Sequence, residues 1–486
     1  MAINLYVSRQ VLAILGVIDY GIYNVVGGVV AMVSFLNSTL SSSSQRFFSI
    51  EIARKNFDKL KELFSLNLIM FMIIAAAGIV IAETIGLWFV NYKMTVPPER
   101  LQATNIVYQI SIVTLIFQMI RIPYDGLIIA HEKMSAYAYF SIIEAVGKLS
   151  IVTILTFICY DKLVIYGLLT LTVTTLVTLL YIIYCHVKFR ESHYKFFWDF
   201  QRIKELVCFS GWHILGSTSS TIRSYGINLL INVFFNPAIN GARAIAYQVS
   251  GTIQQLANNF FIAVKPQIYK SYSENNISGM VNLVMQSTSV CVFLLSIVII
   301  PILVRTEYIL DLWLKDVPEY AVIFTQLVLI NAMAEGTAGP SIASVLATGK
   351  IKRFEIIVST INLCNLPISY ILLRFGFPPQ VTMITAIVIS FTLIFVRCYM
   401  MTKLIDISIS KYSKLIVKII SCNALAFIVC KNIAALLPET FKGFLIVLIL
   451  SAIILTTSYY IAILNKEERK LVIEYILLIN KAKRHF

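Results

Sequence analysis

A succession of about fourteen apolar runs, most of them long enough to cross a bilayer as a helix, constrains this chain more than any other feature. Hydrophobic residues make up 58% of the 486 residues and charged residues only 13%, a balance that excludes a soluble globular domain. The connections between the runs are too short to bury a core of their own. We therefore predict an all-α polytopic membrane protein. The predicted spans are 1–16, 20–44, 64–90, 103–130, 136–159, 163–185, 207–235, 239–265, 281–305, 320–347, 355–375, 378–402, 415–437 and 441–463.

Lysine and arginine are distributed unevenly between alternate connections of these spans. About 25 of the 40 cations lie after even-numbered spans or in the tail, about 8 lie in the opposite connections, and about 7 lie within spans. The cation-rich side is the cytoplasmic side under the positive-inside rule, so both termini are expected in the cytoplasm. The same bias accounts for the net charge of +15, and we expect no nucleic-acid partner. Arg397 and Lys418 lie near cytoplasmic span ends, where snorkelling explains them.

Two segments mix apolar residues with charges and are too polar to cross a bilayer. Residues 194–206 (YKFFWDFQRIKEL) precede span seven, and residues 465–486 form the tail. We interpret both as amphipathic helices that lie in the membrane interface. A solvated basic loop is the alternative for each.

The chain is similar to itself at a lag of about 217–220 residues. Two agreeing lags at topologically equivalent spans favour a duplication, with two six-helix lobes around a central cavity and two extra helices at the C-terminus. The matched positions are Pro123, Ala130 and Lys133 with Pro340, Ala347 and Lys350, and Gly21, Val29 and Leu36 with Gly241, Val249 and Leu256. The predicted domains are 1–190 (N-terminal lobe with a truncated span one), 191–403 (interfacial helix and C-terminal lobe) and 404–486 (spans thirteen and fourteen with the tail).

Four ionisable residues in spans four and five are spaced for helical pairs. Arg121 and Asp125 lie four residues apart, as do Glu144 and Lys148. A charge at mid-bilayer costs roughly 2.5–3.5 kcal/mol on insertion scales, so it persists when it is paired or lines a wet cavity. An intrahelical ion pair is one interpretation of each spacing. The other makes Asp125 or Glu144, or Glu335 in span ten, a carboxylate that carries a coupling ion.

Three arginines within spans, Arg9, Arg223 and Arg243, have no acidic residue within one helical turn. Unpaired arginines at this depth indicate a cationic, water-filled cavity. Because the planar guanidinium binds two phosphate oxygens at once, we expect this cavity to bind an anionic ligand. Arg121 and Lys148 are further candidate cations of the cavity. The alternative for each arginine is an ion pair with an acid on another helix.

No arrangement typical of an enzyme site occurs in the sequence. There is no G-x-x-x-x-G-K-[ST] phosphate-binding loop, no G-x-S-x-G and no H-E-x-x-H. The eight cysteines include no C-x-x-C pair, which argues against a disulfide framework and a zinc site. We therefore predict that the protein is not an enzyme and has no metal site or cofactor. Coupling to an H⁺ or Na⁺ gradient stays open.

Several short motifs occur together in a fixed order along residues 1–355. The longest, RQVLAILGVIDYGIYN over residues 9–24, resembles the opening signature of Wzx-type polysaccharide flippases. These flippases belong to the multidrug/oligosaccharidyl-lipid/polysaccharide exporter superfamily. The order and spacing of the motifs make the set specific. The others are SQRFF (44–48), IAHEKM (129–134), FSGW (209–212), NPAINGAR (236–243), KPQIYKSY (265–272) and LWLKDVP (312–318).

The resemblance implies a function, which is to move undecaprenyl-diphosphate-linked oligosaccharide repeats across the bacterial inner membrane for O-antigen, capsule or exopolysaccharide synthesis. In related flippases, arginines in the central cavity engage the diphosphate. Arg9 matches the arginine of the first-span signature and Arg243 matches the N-x-A-R pattern of span eight, whereas Arg223 matches only by depth. The implied partners are the lipid-linked substrate, membrane lipids, and the polysaccharide polymerase with its chain-length machinery.

The first span departs from the flippase pattern. Only eight residues precede Arg9, and a 16-residue span rises about 24 Å, less than a hydrocarbon core of about 30 Å. We therefore expect Met1 to lie inside the true first helix. Three other functions remain as alternatives. They are an ion-coupled small-molecule exporter of the multidrug branch, which favours an acidic cavity, a membrane polymerase or ligase of the same pathway, and a non-transporting scaffold.

Overall fold

The computed structural model is helical throughout the part of the chain that it describes. This part comprises residues 41–92, 97–158, 160–235, 237–314, 317–405, 407–465 and 468–469, and before them the positions 7, 10, 11, 13–16, 19, 20, 22 and 23. No strand occurs in these ranges, so the predicted all-α class is confirmed. The helices are α1 (described over 41–53), α2 (Phe57–Ile81), α3 (Leu87–Tyr92), α4 (Leu101–Ala130), α5 (Met134–Phe157), α6 (Lys162–Lys188), α7 (Phe200–Phe234), α8 (Pro237–Ser273), α9 (Ile277–Val304), α10 (Thr306–Trp313), α11 (Ala321–Glu335), α12 (Ala338–Thr348), α13 (Lys352–Leu363), α14 (Asn365–Arg374), α15 (Val381–Ile405), α16 (Ile409–Ala434) and α17 (Phe441–Ala462).

Ten helical segments among the described residues are long and apolar enough to cross a membrane. They correspond to predicted spans three to six and nine to fourteen, which supports the multi-pass architecture but does not establish the count of fourteen. Helices α7 and α8, of 35 and 37 residues, occupy predicted spans seven and eight. Spans ten and eleven each consist of two helices, because α11 and α12 meet at residues 336–337 and α13 and α14 meet at Cys364.

The chain forms two compact units, Met1–Ile214 and Leu215–Phe486. In the first unit, α1, α2, α4, α5 and α6 bury an aromatic core, in which the rings of Phe64 and Tyr124 lie 5.1 Å apart. The helix that follows α2 widens to a π turn over Ala82–Gly86. A π turn interrupts the regular hydrogen-bond ladder, and the Tyr108 hydroxyl donates a 2.7 Å hydrogen bond to the Ala82 carbonyl there.

The second unit packs α8, α9, α11 and α15 around small and aliphatic side chains. Helices α16 and α17 form a hairpin against α9. Arg305, directly after α9, donates to the carbonyls of Ala434 and Leu437 at 2.6 and 2.7 Å and pairs with Glu439 at 2.9 Å. It therefore satisfies carbonyls near the C-terminus of α16, where the helix leaves them free, and fixes the hairpin on α9.

The stretch before α7 differs from its prediction. Residues 193–199 form no helix, and the helix that begins at Phe200 continues without interruption to Phe234. The separate interfacial helix predicted over 194–206 is therefore wrong. The Lys195 N–H donates to Ser65 Oγ of α2 at 3.1 Å, a contact that competes with helical pairing of that N–H. The tail helix predicted over 465–486 lies almost entirely outside the described residues, and the domain boundaries at 190 and 403 stay predictions.

Candidate functional site

A polar cavity of about 330 Å³ lies inside the first unit, between α1, α4, α5 and α6. It brings together three residues that the sequence singles out, Arg121, Asp125 and Glu144. Charged walls at this position are informative, because a membrane-spanning helix normally turns apolar side chains toward its neighbours. The lining residues are Ser41, Gln118, Arg121, Ile122, Asp125, Glu144 and Thr174.

An ion-pair network connects α4 and α5 at this cavity. Arg121 Nη1 lies 2.9 Å from Glu144 Oε2, and Lys148 Nζ lies 2.8 Å from Glu144 Oε1. The predicted intrahelical pair of Glu144 and Lys148 is therefore confirmed. Arg121, in contrast, pairs across to α5 and makes no ion pair with Asp125, and its guanidinium lies 4.6 Å from the centroid of the Tyr181 ring. Glu144 thus pairs with two cations, one at each carboxylate oxygen.

Asp125 is the carboxylate of this cavity that no cation of the described residues reaches at ion-pair distance. Its Oδ1 is buried and makes no hydrogen bond in the same part of the chain. Burial of an ionised carboxylate oxygen without a partner is unfavourable, so a proton or a small cation would satisfy it. The geometry is that of a group able to bind a coupling ion, and this role of Asp125 stays a prediction.

Arg223 of α7, in the second unit, has an acidic partner on another helix. Its Nη2 lies 3.4 Å from Glu335 Oε1 of α11, and its Nη1 donates to Asn362 Oδ1 of α13 at 3.3 Å. The expectation of an unpaired Arg223 is therefore wrong, and the alternative of an interhelical ion pair holds. The two partners are 112 residues apart in the sequence, beyond the reach of any argument from local spacing.

Arg243 of α8 is held by neutral groups. It donates to Asn228 Oδ1 and, at 3.5 Å, to the Ser224 carbonyl, and its guanidinium lies 4.4 Å from the centroid of the Tyr247 ring. Only 4% of the residue is exposed, and among the described residues Nε finds no hydrogen-bond partner and no carboxylate lies at ion-pair distance. The charge of Arg243 is therefore oriented but not neutralised, which suits it to an anion.

Arg397 of α15 is a buried cation that the sequence interpretation missed. Snorkelling to the surface is wrong for this residue, because only 7% of it is exposed and its Nε makes no hydrogen bond to the described residues. It lies on the buried stripe of α15 with Leu393, Ile394 and Met401. That helical spacing was a signal that could have found it. Lys418 is exposed, in agreement with its prediction.

The second unit also contains an apolar cavity of about 560 Å³, between α9, α11, α15 and α16. Aliphatic and aromatic side chains such as Ile300, Met333 and Phe427 dominate its wall, and Lys431 is the charged residue among those that line it. Arg9 lies outside the described residues. Among the described residues, no group of three or more His, Cys, Asp or Glu side chains comes together in a way that could hold a metal ion.

Comparison with protein families adds a second line of observation. Residues 5–272 match the family described as polysaccharide biosynthesis proteins. The chain belongs to this family. The match covers more than half of the chain and includes Arg9, Arg223 and Arg243, so the resemblance to Wzx-type flippases is confirmed at the level of the family. No curated protein sequence matches this polysaccharide biosynthesis protein.

Solved structures of transporters share the fold of this polysaccharide biosynthesis protein. A MATE protein in its bent conformation is 12% identical, with a TM-score of 0.68 over 83% of this chain and 91% of that chain. An outward-facing multidrug resistance MATE family transporter of the MOP superfamily is 12% identical, with a TM-score of 0.69 over 80% and 88%. A MOP superfamily transporter from Pyrococcus furiosus is 12% identical, with a TM-score of 0.68 over 83% and 92%. The fold is therefore that of MOP-superfamily transporters, which are multi-pass membrane proteins.

Proposed function

We propose that this protein is a flippase that moves undecaprenyl-diphosphate-linked oligosaccharide repeats across the bacterial inner membrane for O-antigen, capsule or exopolysaccharide synthesis. Its family and its transporter fold support export across a membrane as the general activity. The observation that supports a diphosphate-linked substrate is the environment of Arg243. Its guanidinium is buried, and the described residues orient it without neutralising its charge. The cation distribution supports cytoplasmic termini, and the polymerase and chain-length machinery are the proposed partners.

A diphosphate suits the chemistry of Arg243. Its guanidinium can donate two parallel hydrogen bonds to phosphate oxygens, and hydrogen bonds to charged groups are worth roughly 1.5–3 kcal/mol. Asn228 and the Tyr247 ring already hold the Arg243 side chain in place. Binding of a diphosphate therefore costs little additional side-chain entropy. Arg223 contributes less in this proposal, since Glu335 balances its charge. Arg9 is the second proposed phosphate ligand, from its place in the family motif.

We assign the proposed coupling to an H⁺ or Na⁺ gradient to Asp125. Its buried Oδ1 makes no hydrogen bond to the described residues and lies beside a polar cavity large enough for water. Both oxygens of Glu144 are occupied by cations, and Glu335 is engaged with Arg223, so either carboxylate would have to break an ion pair to bind an ion.

A small-molecule exporter of the multidrug branch is the second candidate function. The carboxylates of the first unit's cavity favour it, because they suit cationic drugs. The Pyrococcus furiosus transporter with this fold is described as having a binding pocket of reverse polarity that suggests a different function, so the fold is not restricted to one substrate charge. We prefer the anionic substrate because Arg243 and Arg397 are buried with no carboxylate of the described residues at ion-pair distance.

Reconstitution of the purified protein in vesicles tests the proposal. The measured quantity is the rate at which an undecaprenyl-diphosphate-linked oligosaccharide becomes accessible to a probe outside the vesicles. We expect Arg243→Ala to lower this rate by a factor of about 100 through the loss of two charge-assisted hydrogen bonds. Arg243→Lys is expected to be intermediate, because an ammonium group acts as a single point charge. Arg9→Ala is expected to resemble Arg243→Ala, and Arg223→Ala to lower the rate less.

Lys403→Gln is the matched control, because Lys403 is an exposed cation at the end of α15 in the same unit. Its rate is expected to equal that of the wild type. Full activity in Arg243→Ala would contradict the proposed diphosphate site. Transport of a cationic drug without movement of the lipid would favour the small-molecule exporter.

A further inference from the structure

A second polar cavity of the first unit, of about 270 Å³, lies where α1, α2 and the beginning of α7 meet. It is separate from the cavity at Asp125 and shares no lining residue with it. Two carboxylates, Glu51 and Glu205, belong to its wall. The cations that line it are Arg46, Arg54, Lys59 and Arg202.

Part of the positive charge at this cavity is balanced within the protein. Arg54 lies 3.4 Å from Glu51, and Arg202 lies 2.5 Å from Glu62 and 3.5 Å from Asp199. Lys59 is exposed, and none of the described carboxylates lies at ion-pair distance from it. Two cations that do not line the cavity, Lys55 before α2 and Lys61 within it, add positive charge against Asp58. The surroundings of the cavity therefore attract an anion.

Exposed aromatic side chains precede, in the chain, the α7 residues that line this cavity. Tyr194, Phe196, Trp198 and Phe200 are each more than half exposed. Phe197, which lies between them, instead contacts Arg202, whose guanidinium is 5.2 Å from the centroid of its ring. A cluster of exposed aromatic residues next to basic residues is typical of the membrane–water interface. The stretch before α7 thus presents aromatic rings outward and one ring to a cation of the cavity.

We propose that this cavity binds the phosphate headgroup of an anionic phospholipid, of the phosphatidylglycerol class, from the leaflet beside the predicted cytoplasmic connections. Arg46 provides a preorganised wall, because its guanidinium lies 4.9 and 4.7 Å from the ring centroids of Phe47 and Phe209. A phospholipid is favoured over free phosphate because Arg202 of the cavity contacts Phe197, which belongs to a run of exposed aromatic residues of the kind found at a membrane–water interface. The site is separate from Arg243, so the inference does not rest on the proposed function.

Native mass spectrometry of the full-length protein, released from vesicles of equal parts phosphatidylglycerol and phosphatidylcholine, tests the site. The wild type is expected to retain phosphatidylglycerol in preference to phosphatidylcholine. Lys59→Gln is expected to lower this retention about fivefold, the effect of one cation near a lipid surface. Glu205→Gln removes an exposed carboxylate of the same wall and is expected to raise retention by a similar factor. Lys133→Gln, which removes an exposed cation outside the cavity, is the matched control and is expected to change nothing.

The two opposite shifts separate a headgroup site from a loss of folding, because a misfolded variant would not gain affinity. Equal retention in Lys59→Gln and Lys133→Gln, or lower retention in Glu205→Gln, would overturn the proposal. Displacement of the lipid by excess inorganic phosphate would overturn the choice of a lipid and assign the cavity to free phosphate. A Lys59-dependent signal seen with undecaprenyl diphosphate but absent with phosphatidylglycerol would instead make the cavity part of the substrate path.

Discussion

The two units of the protein treat buried charge in opposite ways. In the first, two carboxylates face two cations: Glu144 pairs with both Arg121 and Lys148, whereas Asp125 has no cation at ion-pair distance among the described residues. In the second, Arg243 and Arg397 are more than nine-tenths buried without a carboxylate at that distance in the described part of the chain. A buried carboxylate oxygen without a partner can take up a proton or a small cation, and a buried guanidinium without a carboxylate at ion-pair distance attracts an anion. We infer that ion coupling belongs to the first unit and recognition of the substrate charge to the second.

The difference is not a consequence of the internal repeat. At a lag of 217 residues, which superimposes Pro123 on Pro340, Arg121 and Asp125 correspond to Ala338 and Ile342. At a lag of 220 residues, Arg243 corresponds to Tyr23 in the same way. The matched positions thus include proline, small residues and the pair Lys133 and Lys350, but not Arg121, Asp125 or Arg243.

The largest effect that would sharpen this comparison is expected from Glu144→Gln. The change leaves Arg121 and Lys148 without their carboxylate. Each side chain of the Arg121–Glu144 pair is about one-quarter exposed, so the cost lies between that of a surface pair and a buried pair, or about 2 kcal/mol of the free energy of unfolding. Denaturation in detergent micelles, followed by tryptophan fluorescence, measures it.

Glu335→Gln is the control for this change, because Arg223 keeps its hydrogen bond to Asn362 when the carboxylate is removed. Its cost is expected to be clearly smaller than that of Glu144→Gln. The double variant Arg121→Leu with Glu144→Leu should recover part of the lost stability. If both single variants destabilise the protein equally, the first unit is no more dependent on its charge balance than the second.

Asp125→Asn is expected to have the next largest effect, on transport and not on stability. Asparagine has nearly the same shape, so the cavity should remain intact, but it binds neither a proton nor a sodium ion in place of the carboxylate. Gradient-driven movement of the lipid substrate into proteoliposomes is expected to fall about tenfold, to the rate seen without a gradient. Separate H⁺ and Na⁺ gradients identify the ion. An Asp125→Asn protein that still responds fully to either gradient would contradict the assignment of coupling to the first unit.

Glu335→Gln should also change binding, by a smaller factor and in the favourable direction. Without the carboxylate, Arg223 joins Arg243 and Arg397 as a cation of the second unit with no carboxylate at ion-pair distance among the described residues. Affinity for an undecaprenyl-diphosphate analogue is expected to rise about fivefold, corresponding to about 1 kcal/mol for a partly exposed ion pair. Binding to the purified protein by fluorescence anisotropy measures this change. A loss of affinity would show that Glu335 itself helps to hold the substrate.

The sequence predicts features that depend on neighbouring residues, such as the spans, better than contacts between residues that lie far apart in the chain. The twelve predicted spans from 64–90 to 441–463 all correspond to helices, because a long apolar run in a membrane must pair its backbone within itself. Charge partners were less predictable. The four-residue spacing suggested an ion pair between Arg121 and Asp125, but the packing of α4 on α5 brings Glu144 to 2.9 Å from Arg121 instead. Glu335 reaches Arg223 from another helix, and a single contact to Ser65 accompanies the loss of helix before α7.

The smallest expected effect concerns a connection outside the spans. This connection carries a charged pair in the first unit and a neutral hydrogen bond at the corresponding position of the second. In the first unit, His131 follows α4 and its Nε2 lies 2.6 Å from Glu191 Oε1. At a lag of 217 residues it corresponds to Thr348 of the second unit, whose hydroxyl donates to the neutral Val345 carbonyl at 2.7 Å. The charged arrangement makes the first unit sensitive to pH at this point, whereas the neutral arrangement does not titrate.

Burial alone would raise the pKa of the Glu191 carboxyl. The effect of burial is outweighed by hydrogen bonds from His131 and from the backbone N–H of Glu191, together with the charge of His131. The pKa of Glu191 is therefore lower than its usual value. Because the pKa is lower in the folded state, the ionised group stabilises the fold above the unfolded pKa of about 4.3, and this stability is lost as the pH falls through the folded pKa. The melting temperature of the wild type should therefore exceed that of Glu191→Gln at pH 6, by the equivalent of about 1 kcal/mol, and the two should converge in more acidic buffer. Thr348→Val is the control in the second unit, and its difference from the wild type should not vary with pH. If the difference in melting temperature between the wild type and Glu191→Gln stays constant from pH 6 downward, the His131–Glu191 pair does not act through its charge. The two units would then differ in charge only within the membrane-spanning helices and not in this connection.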